Sequence, residues 1–215
     1  MENIWIIGVG QFGFLSYQRL SEKGTGRHFV LVDPNEENLS RAQGSNITLE
    51  NEDGVAFVER NLSPENRPDW IIPALPIHLA AEWCLGKIGP EGLCRIPLPS
   101  EIEPHLPNPL RGADGNIYVS HADFRCPDDC AEPRDFCTIT QKPRERNMFE
   151  ILGDISVPPF QPLVIRSYQL GPGIGGYRPE QLFELLDKVE RSDGELLVCT
   201  ACRCHGVITG LKYQR

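Results

Sequence analysis

Asn3-Ile4-Trp5-Ile6-Ile7-Gly8-Val9-Gly10-Gln11-Phe12-Gly13, together with the next apolar run Phe29-Val30-Leu31-Val32-Asp33, decides how this chain is read. Asn3 to Ile7 is a short apolar segment bounded by glycine, the pattern of a buried strand. The residues after Gly10 read as a helix of about three turns that ends near Lys23-Gly24. Strand, glycine loop and helix in that order give the three glycines distinct jobs. Gly8 permits the tight turn, Gly10 lets backbone approach a pyrophosphate, and Gly13 lets helix and strand pack closely. The helix N-terminus offers free N–H groups and a positive dipole end to phosphate. Asp33 stands 20 positions after Gly13, at the end of the second strand. There it is placed to accept hydrogen bonds from the ribose hydroxyls of an adenosine. The residues just after it, Pro34, Asn35, Glu36 and Glu37, include no arginine to receive a 2′-phosphate, so NAD is expected rather than NADP.

The alternation continues outward from this unit. A helix is expected from Pro34-Asn35 through Leu39, a strand at Ile47 to Leu49 and a helix at Val55 to Leu62. Trp70 to Ile72 reads as a fourth strand and His78 to Leu85 as a helix. Strands and helices joined by short connections predict a parallel sheet with right-handed crossovers. Residues 1–96 are therefore expected to form a Rossmann NAD-binding unit, with Gly8, Val9, Gly10, Gln11, Phe12, Gly13 and Asp33 holding the dinucleotide. The fold class is α/β, a Rossmann-like parallel sheet followed by a cysteine-rich α/β region.

The run from Ile4 to Gly13, with Val30-Leu31-Val32-Asp33-Pro34, resembles the NAD-binding domains of Trk-type potassium-uptake and RCK regulatory proteins, and more broadly those of NAD(P)-dependent dehydrogenases. The resemblance covers under half of the chain and implies a fold and a nucleotide site, not a reaction. The proline-rich and cysteine-rich remainder has no counterpart in the potassium regulators.

Residues 97–116 hold Pro97, Pro99, Pro104, Pro107 and Pro109, which are expected to break any helix and leave extended chain, a linker or an edge-wrapping connection. Residues 117–215 return to α/β patterning. Ile117 to Val119 and Leu163 to Ile165 read as strands. Gly171 to Gly176 read as a glycine-rich turn, with a phosphate cradle as the alternative. Leu182, Leu185, Leu186 and Val189 form the buried stripe of a helix opened by Pro179. Leu196 to Val198 form a strand that runs into Cys199-Thr200-Ala201-Cys202-Arg203-Cys204-His205.

Six of the eight cysteines crowd into this second part, as Cys126, Cys130 and Cys137 and as Cys199, Cys202 and Cys204, with His205 adjacent and His121 upstream. The first residues carry no basic, apolar leader, so a cytoplasmic, reducing location is expected, where clustered thiols bind metal rather than form disulfides. Cys126, Cys130, Cys137, Cys199, Cys202, Cys204 and His205 are thus candidate ligands of zinc or an iron–sulfur cluster. The competing reading makes some of them small buried hydrophobes, as expected for Cys84 and unremarkably for Cys94. His78 follows the fourth strand, where it is either a general acid/base or a structural residue.

A net charge of −9 and the absence of a Lys/Arg run argue against a nucleic-acid partner, and no run is long enough to span a membrane. The expected partners are a dinucleotide and a protein redox or regulatory partner. No GxSxG, HExxH or Walker loop is present to mark a catalytic set. The sequence therefore points to an NAD-binding protein with a thiolate metal centre, redox-linked, or to an NAD-sensing regulatory module with structural zinc.

Overall fold

The computed structural model describes every residue except Lys23, Thr25 and Arg215. In chain order the elements are β1 (Glu2–Ile7), α1 (Gln11–Ser21), β2 (Arg27–Val32), α2 (Glu36–Ser40), β3 (Ile47–Glu50), α3 (Gly54–Asn61), β4 (Trp70–Pro73), α4 (Leu79–Ile88) and β5 (Leu93–Arg95). After a 3-10 helix at Ser100–His105 come β6 (Leu110–Arg111), β7 (Ile117–Ser120), α5 (Met148–Gly153), β8 (Phe160–Arg166), β9 (Tyr168–Gly171), β10 (Ile174–Gly176), α6 (Pro179–Glu190), β11 (Glu195–Ala201) and β12 (His205–Tyr213). The chain is α/β. α1 ends at Ser21, short of the expected end near Lys23-Gly24, of which Lys23 lies outside the described residues.

The first sheet is parallel with order β3-β2-β1-β4, the order produced by right-handed strand–helix–strand units. Side chains alternate across it. Ile4, Ile6, Phe29 and Leu31 pack under α1 and α2, whereas Trp5, Ile7, Val30 and Val32 face α3, α4 and α6. The second sheet is mixed, with order β6-β7-β12-β11-β8, and β5 pairs with the far end of β12. Leu93–Arg95, inside the span read from sequence as the first unit, thus hydrogen-bonds into the second sheet.

Leu196 and Val198 of β11 turn toward the same core as Trp5 and Ile7, so one hydrophobic interior joins the two sheets. Leu197, Cys199 and Ala201 turn the other way, onto Ile117, Val119, Met148 and Leu152. A further seam is the antiparallel bridge between Ile71 and Tyr177. His78, at the start of α4, crosses to the second sheet, its two ring nitrogens bonded to the hydroxyls of Thr209 at 2.7 Å and Thr200 at 2.8 Å.

Two expectations change here. The proline-rich segment is not plain extended chain, because Ser100–His105 forms a 3-10 helix that contains Pro104 and buries Ile102 completely. A short 3-10 segment of this kind loses little by the missing proline N–H, and Leu98, Ile102 and Leu106 cover the outer face of the second sheet. The glycine run 171–176 does not lead straight from strand to helix: Gly171 ends β9, Pro172-Gly173 make the hairpin turn, and Ile174–Gly176 form β10. Among the described residues no helix is long and apolar enough to cross a membrane.

Candidate functional site

The loop between β1 and α1 gives its three glycines different surroundings. Gly8 has φ +90, and a Cβ there would meet the carbonyl oxygen of Ala74 at 2.7 Å. A Cβ on Gly13 would stand 1.9 Å from the carbonyl oxygen of Gly8, so helix and loop close only without a side chain. Gly10 differs: nothing lies within 4 Å of a Cβ built on it. That space opens at the N-terminus of α1, where Gly10 supplies no capping side chain and the first turn holds no acid. Free amides and a positive dipole end facing open space suit an anion.

Asp33 is only 6% exposed, and its carboxylate is already at work within the protein. One oxygen accepts the Val9 N–H at 2.6 Å; the other accepts the Asn35 N–H at 2.9 Å and the Asn38 side chain at 3.0 Å. A carboxylate offers about four acceptor positions, so roughly one is left for a ribose hydroxyl rather than two. Arg41 also belongs to this site, although its place eight residues beyond Asp33 gave no signal in the sequence. Its guanidinium donates to the carbonyls of Val9 and Gly10 and lies 4.6 Å from the centroid of the Phe14 ring.

The cysteines separate into sets. Cys199 is fully buried in the core under β11, its thiol donating to the Leu197 carbonyl at 3.4 Å, and burial pushes that thiol up. It faces away from the other candidates because it shares the parity of Leu197 and Ala201 along the strand. Cys84 is likewise core, its thiol pushed up to about 12 by burial. Cys126, Cys130, Cys137 and Cys204 line one cavity of about 500 Å³, together with His121 and His205. Cys202 lies behind them and lines a second cavity of about 360 Å³ with Glu132 and with Phe12 of α1; Cys126, Cys130 and His205 border both. The thiols ring these spaces rather than converge on a point: among the described residues no three His, Cys, Asp or Glu side chains close round a single ion position.

Backbone contacts fix the ring. Cys202 and Cys204 sit in the turn between the paired strands β11 and β12, and the Cys202 sulfur accepts the N–H groups of Cys204 and His205, each at 3.3 Å. Glu132, buried, accepts from the Arg203 N–H at 2.8 Å and the Cys204 N–H at 3.2 Å. Arg144 binds the carbonyls of Pro133, Arg134 and Phe136 and reaches the Cys204 sulfur at 2.9 Å. Burial holds the Cys204 thiol up at about 11 against the Arg144 charge, which works to lower it. Burial, then the neighbouring Cys130 and Cys137, raise Cys126, whereas hydrogen bonds from Thr140 lower the half-buried Cys137. His121 places Nε2 against the Arg146 carbonyl at 3.0 Å, which leaves Nδ1 as the unprotonated nitrogen when the ring is neutral.

The glycine hairpin serves this loop. A Cβ on Gly173 would lie 1.8 Å from the Asp128 carbonyl oxygen, and the Gly173 N–H and the Gln169 amide both donate to the Cys130 carbonyl. The run expected as a plain turn, or else as a phosphate cradle, therefore grips the cysteine loop from behind. His78 offers no free nitrogen to a ligand, since both are bonded to threonines; burial lowers it to about 3.

A family model described as "Uncharacterized protein, C-terminal domain" (AF_1314_C) matches residues 80–214. The chain belongs to this family. The AF_1314_C match takes in all eight cysteines and the whole second sheet, and it leaves the glycine loop and Asp33 outside. An uncharacterized protein of Archaeoglobus fulgidus is 28% identical over 223 residues, covering 96% of this chain and 98% of that one. No solved structure matches this chain.

Proposed function

We propose that this chain is a cytoplasmic dinucleotide-binding protein that takes NAD on the Gly8–Gly13 loop and carries a redox-linked thiolate metal centre beside it. The observation that carries the nucleotide reading is the contrast among the three glycines: Gly8 and Gly13 are closed in by backbone, whereas Gly10 looks onto open space at an uncapped helix N-terminus. A packing role explains the first and third and leaves the second without one. Val9 to Gly13 would hold the pyrophosphate through backbone amides, and Asp33 one ribose hydroxyl. Bound there, NAD supplies a ring that accepts or gives hydride. This chain contributes binding and orientation, with Arg41 across the loop and Phe12 between the nucleotide loop and the thiols.

Arg19 favours a second reading. It ties α1 to the cysteine loop, and in an NAD-sensing regulatory module such a joint carries nucleotide occupancy to the metal region. Calorimetric titration of NAD and NADP into wild type and Gly10→Val tests the shared claim. A Cβ added at Gly10 has no protein atom within 4 Å, so the variant is expected to fold, and affinity falls roughly tenfold or more. Equal affinity in the two proteins would remove the loop from the binding site. NADP binding tighter than NAD would assign Arg41 to a 2′-phosphate.

A further inference from the structure

We propose that Cys126, Cys130, Cys137 and Cys204 hold one thiolate-bound soft-metal centre, and that this centre pins the segment of residues 121–147. The assignment rests on the metal half of the reading above and not on its nucleotide half.

The argument begins with what holds that segment. Between the end of β7 and the start of α5 the chain forms no helix and no strand, and its one buried residue is the carboxylate-bearing Glu132. Ordering each residue costs about 1–2 kcal/mol of backbone entropy, which apolar burial normally offsets. Here burial supplies almost nothing, because Phe136 and Ile139, the apolar side chains at the tip, are 40% and 54% exposed. Long irregular segments inside compact folds need another fastening. A structural metal is such a fastening: its binding free energy is folding free energy.

The choice of four follows from position. These thiols line one cavity and come from three places in the chain, the Cys126–Cys130 turn, the Cys137 turn and the β11–β12 turn. Cys199 is buried under β11, and Cys202 lines the neighbouring cavity but not this one. Thiolates around one cavity would repel one another, and the Arg144 charge, which meets the Cys204 sulfur and also acts on Cys137, offsets that only in part. A cation among them removes the repulsion. Four sulfurs select zinc or an iron–sulfur cluster. The thiols close on a single ion, or keep a wider ring about a cluster. Either way each ligating thiol gives its proton to solvent as its bond to metal forms, with no change of oxidation state at sulfur.

Full-length protein purified without oxygen is assayed for zinc, iron and acid-labile sulfide, and its visible absorption recorded. Stoichiometric colourless zinc or a brown iron–sulfide chromophore is expected, and the two outcomes distinguish the forms of one site. Cys126→Ser and Cys204→Ser lose the metal, while Cys199→Ala and Cys202→Ala keep it. As a control on folding, chelator added to the wild type speeds proteolysis within residues 121–147 while NAD binding persists. Loss of metal from Cys199→Ala or Cys202→Ala alongside retention in Cys204→Ser overturns the four-thiol set. So does loss in His121→Ala with retention in any one of the four, which would mean three thiols and an imidazole. Wild type that takes up neither metal, even when offered zinc or reconstituted with iron and sulfide, removes the metal centre and leaves the NAD titration standing. Failure of that titration with metal retained removes only the nucleotide.

Discussion

Arg19, on the helix that follows the glycine loop, donates from Nη1 to the backbone carbonyl of Asp128 at 2.7 Å. The same nitrogen holds the Pro172 carbonyl at 2.8 Å, so one guanidinium fastens α1, the cysteine loop and the β9–β10 hairpin together. Hydrogen bonds from a charged donor are worth about 1.5–3 kcal/mol each. Arg19→Met keeps the aliphatic stem and removes both. The expected outcome is proteolysis within residues 121–147 accelerated by roughly tenfold or more, with a global unfolding midpoint close to wild type, since that core lies elsewhere. A cleavage rate unchanged from wild type would leave Arg19 no fastening role.

Gly13 makes a sharper prediction about stability. A methyl group there meets the Gly8 carbonyl oxygen at 1.9 Å, backbone against backbone, with no flexible side chain to yield. Gly13→Ala is expected to cost about 3 kcal/mol or more, at the top of the range for overpacking, seen as a lowered denaturant midpoint at constant slope. Gly10→Val, in the same loop, leaves the midpoint within about 0.5 kcal/mol of wild type. Similar losses in both would mean that the loop is strained throughout rather than divided between packing and open space.

Sequence and structure agree where local pattern and tertiary packing demand the same thing. The four parallel strands, the glycine loop and the Asp33 position follow from apolar runs punctuated by glycine, because a buried parallel sheet needs such runs. Cys199 was readable too: counting in twos from Leu197 puts it on the core face, yet its nearness in sequence to Cys202 suggested a ligand. The α5 helix was not read from the sequence, although Asn147 and Glu150 form a capping box at its start, with Glu150 accepting the Asn147 N–H at 2.9 Å. Arg19, Arg41, Glu132 and Arg144 were not legible. Arg19, Arg41 and Glu132 act by reaching backbone far away in the chain, as Glu132 does across 71 residues to Arg203, and Arg144 reaches the Cys204 sulfur across 60; such contacts leave no periodic trace.

His78 predicts a pH dependence. Burial lowers it from 6.5 to about 3, so the folded protein keeps the ring neutral while the unfolded chain protonates it near its ordinary value. The stability of the neutral ring is fully present above about pH 6.5 and drains away as pH falls from there toward 3. In urea titrations between pH 7 and pH 4.5, wild type should lose stability more steeply than His78→Gln. The variant itself sits about 1–3 kcal/mol lower at pH 7, because at least one of the Thr200 and Thr209 hydroxyls loses its partner. Parallel slopes for the two proteins would place the acid sensitivity in other groups.

Asp33→Asn separates the two duties of that residue. The carboxylate accepts three hydrogen bonds, from Val9 on one oxygen and from Asn35 and Asn38 on the other. An amide in either orientation turns its NH2 toward an existing donor, so at least one bond is lost and a repulsion replaces it. The expected cost is about 1–3 kcal/mol in the unfolding midpoint, paired with a roughly tenfold weaker NAD affinity. Loss of stability with unchanged affinity would make Asp33 a tether of the loop alone. Loss of affinity at wild-type stability would make it a ligand whose internal bonds are replaceable. Both losses together are what its position predicts, because the group that holds the Val9 amide in place is also the acid beside the site where the ribose lies.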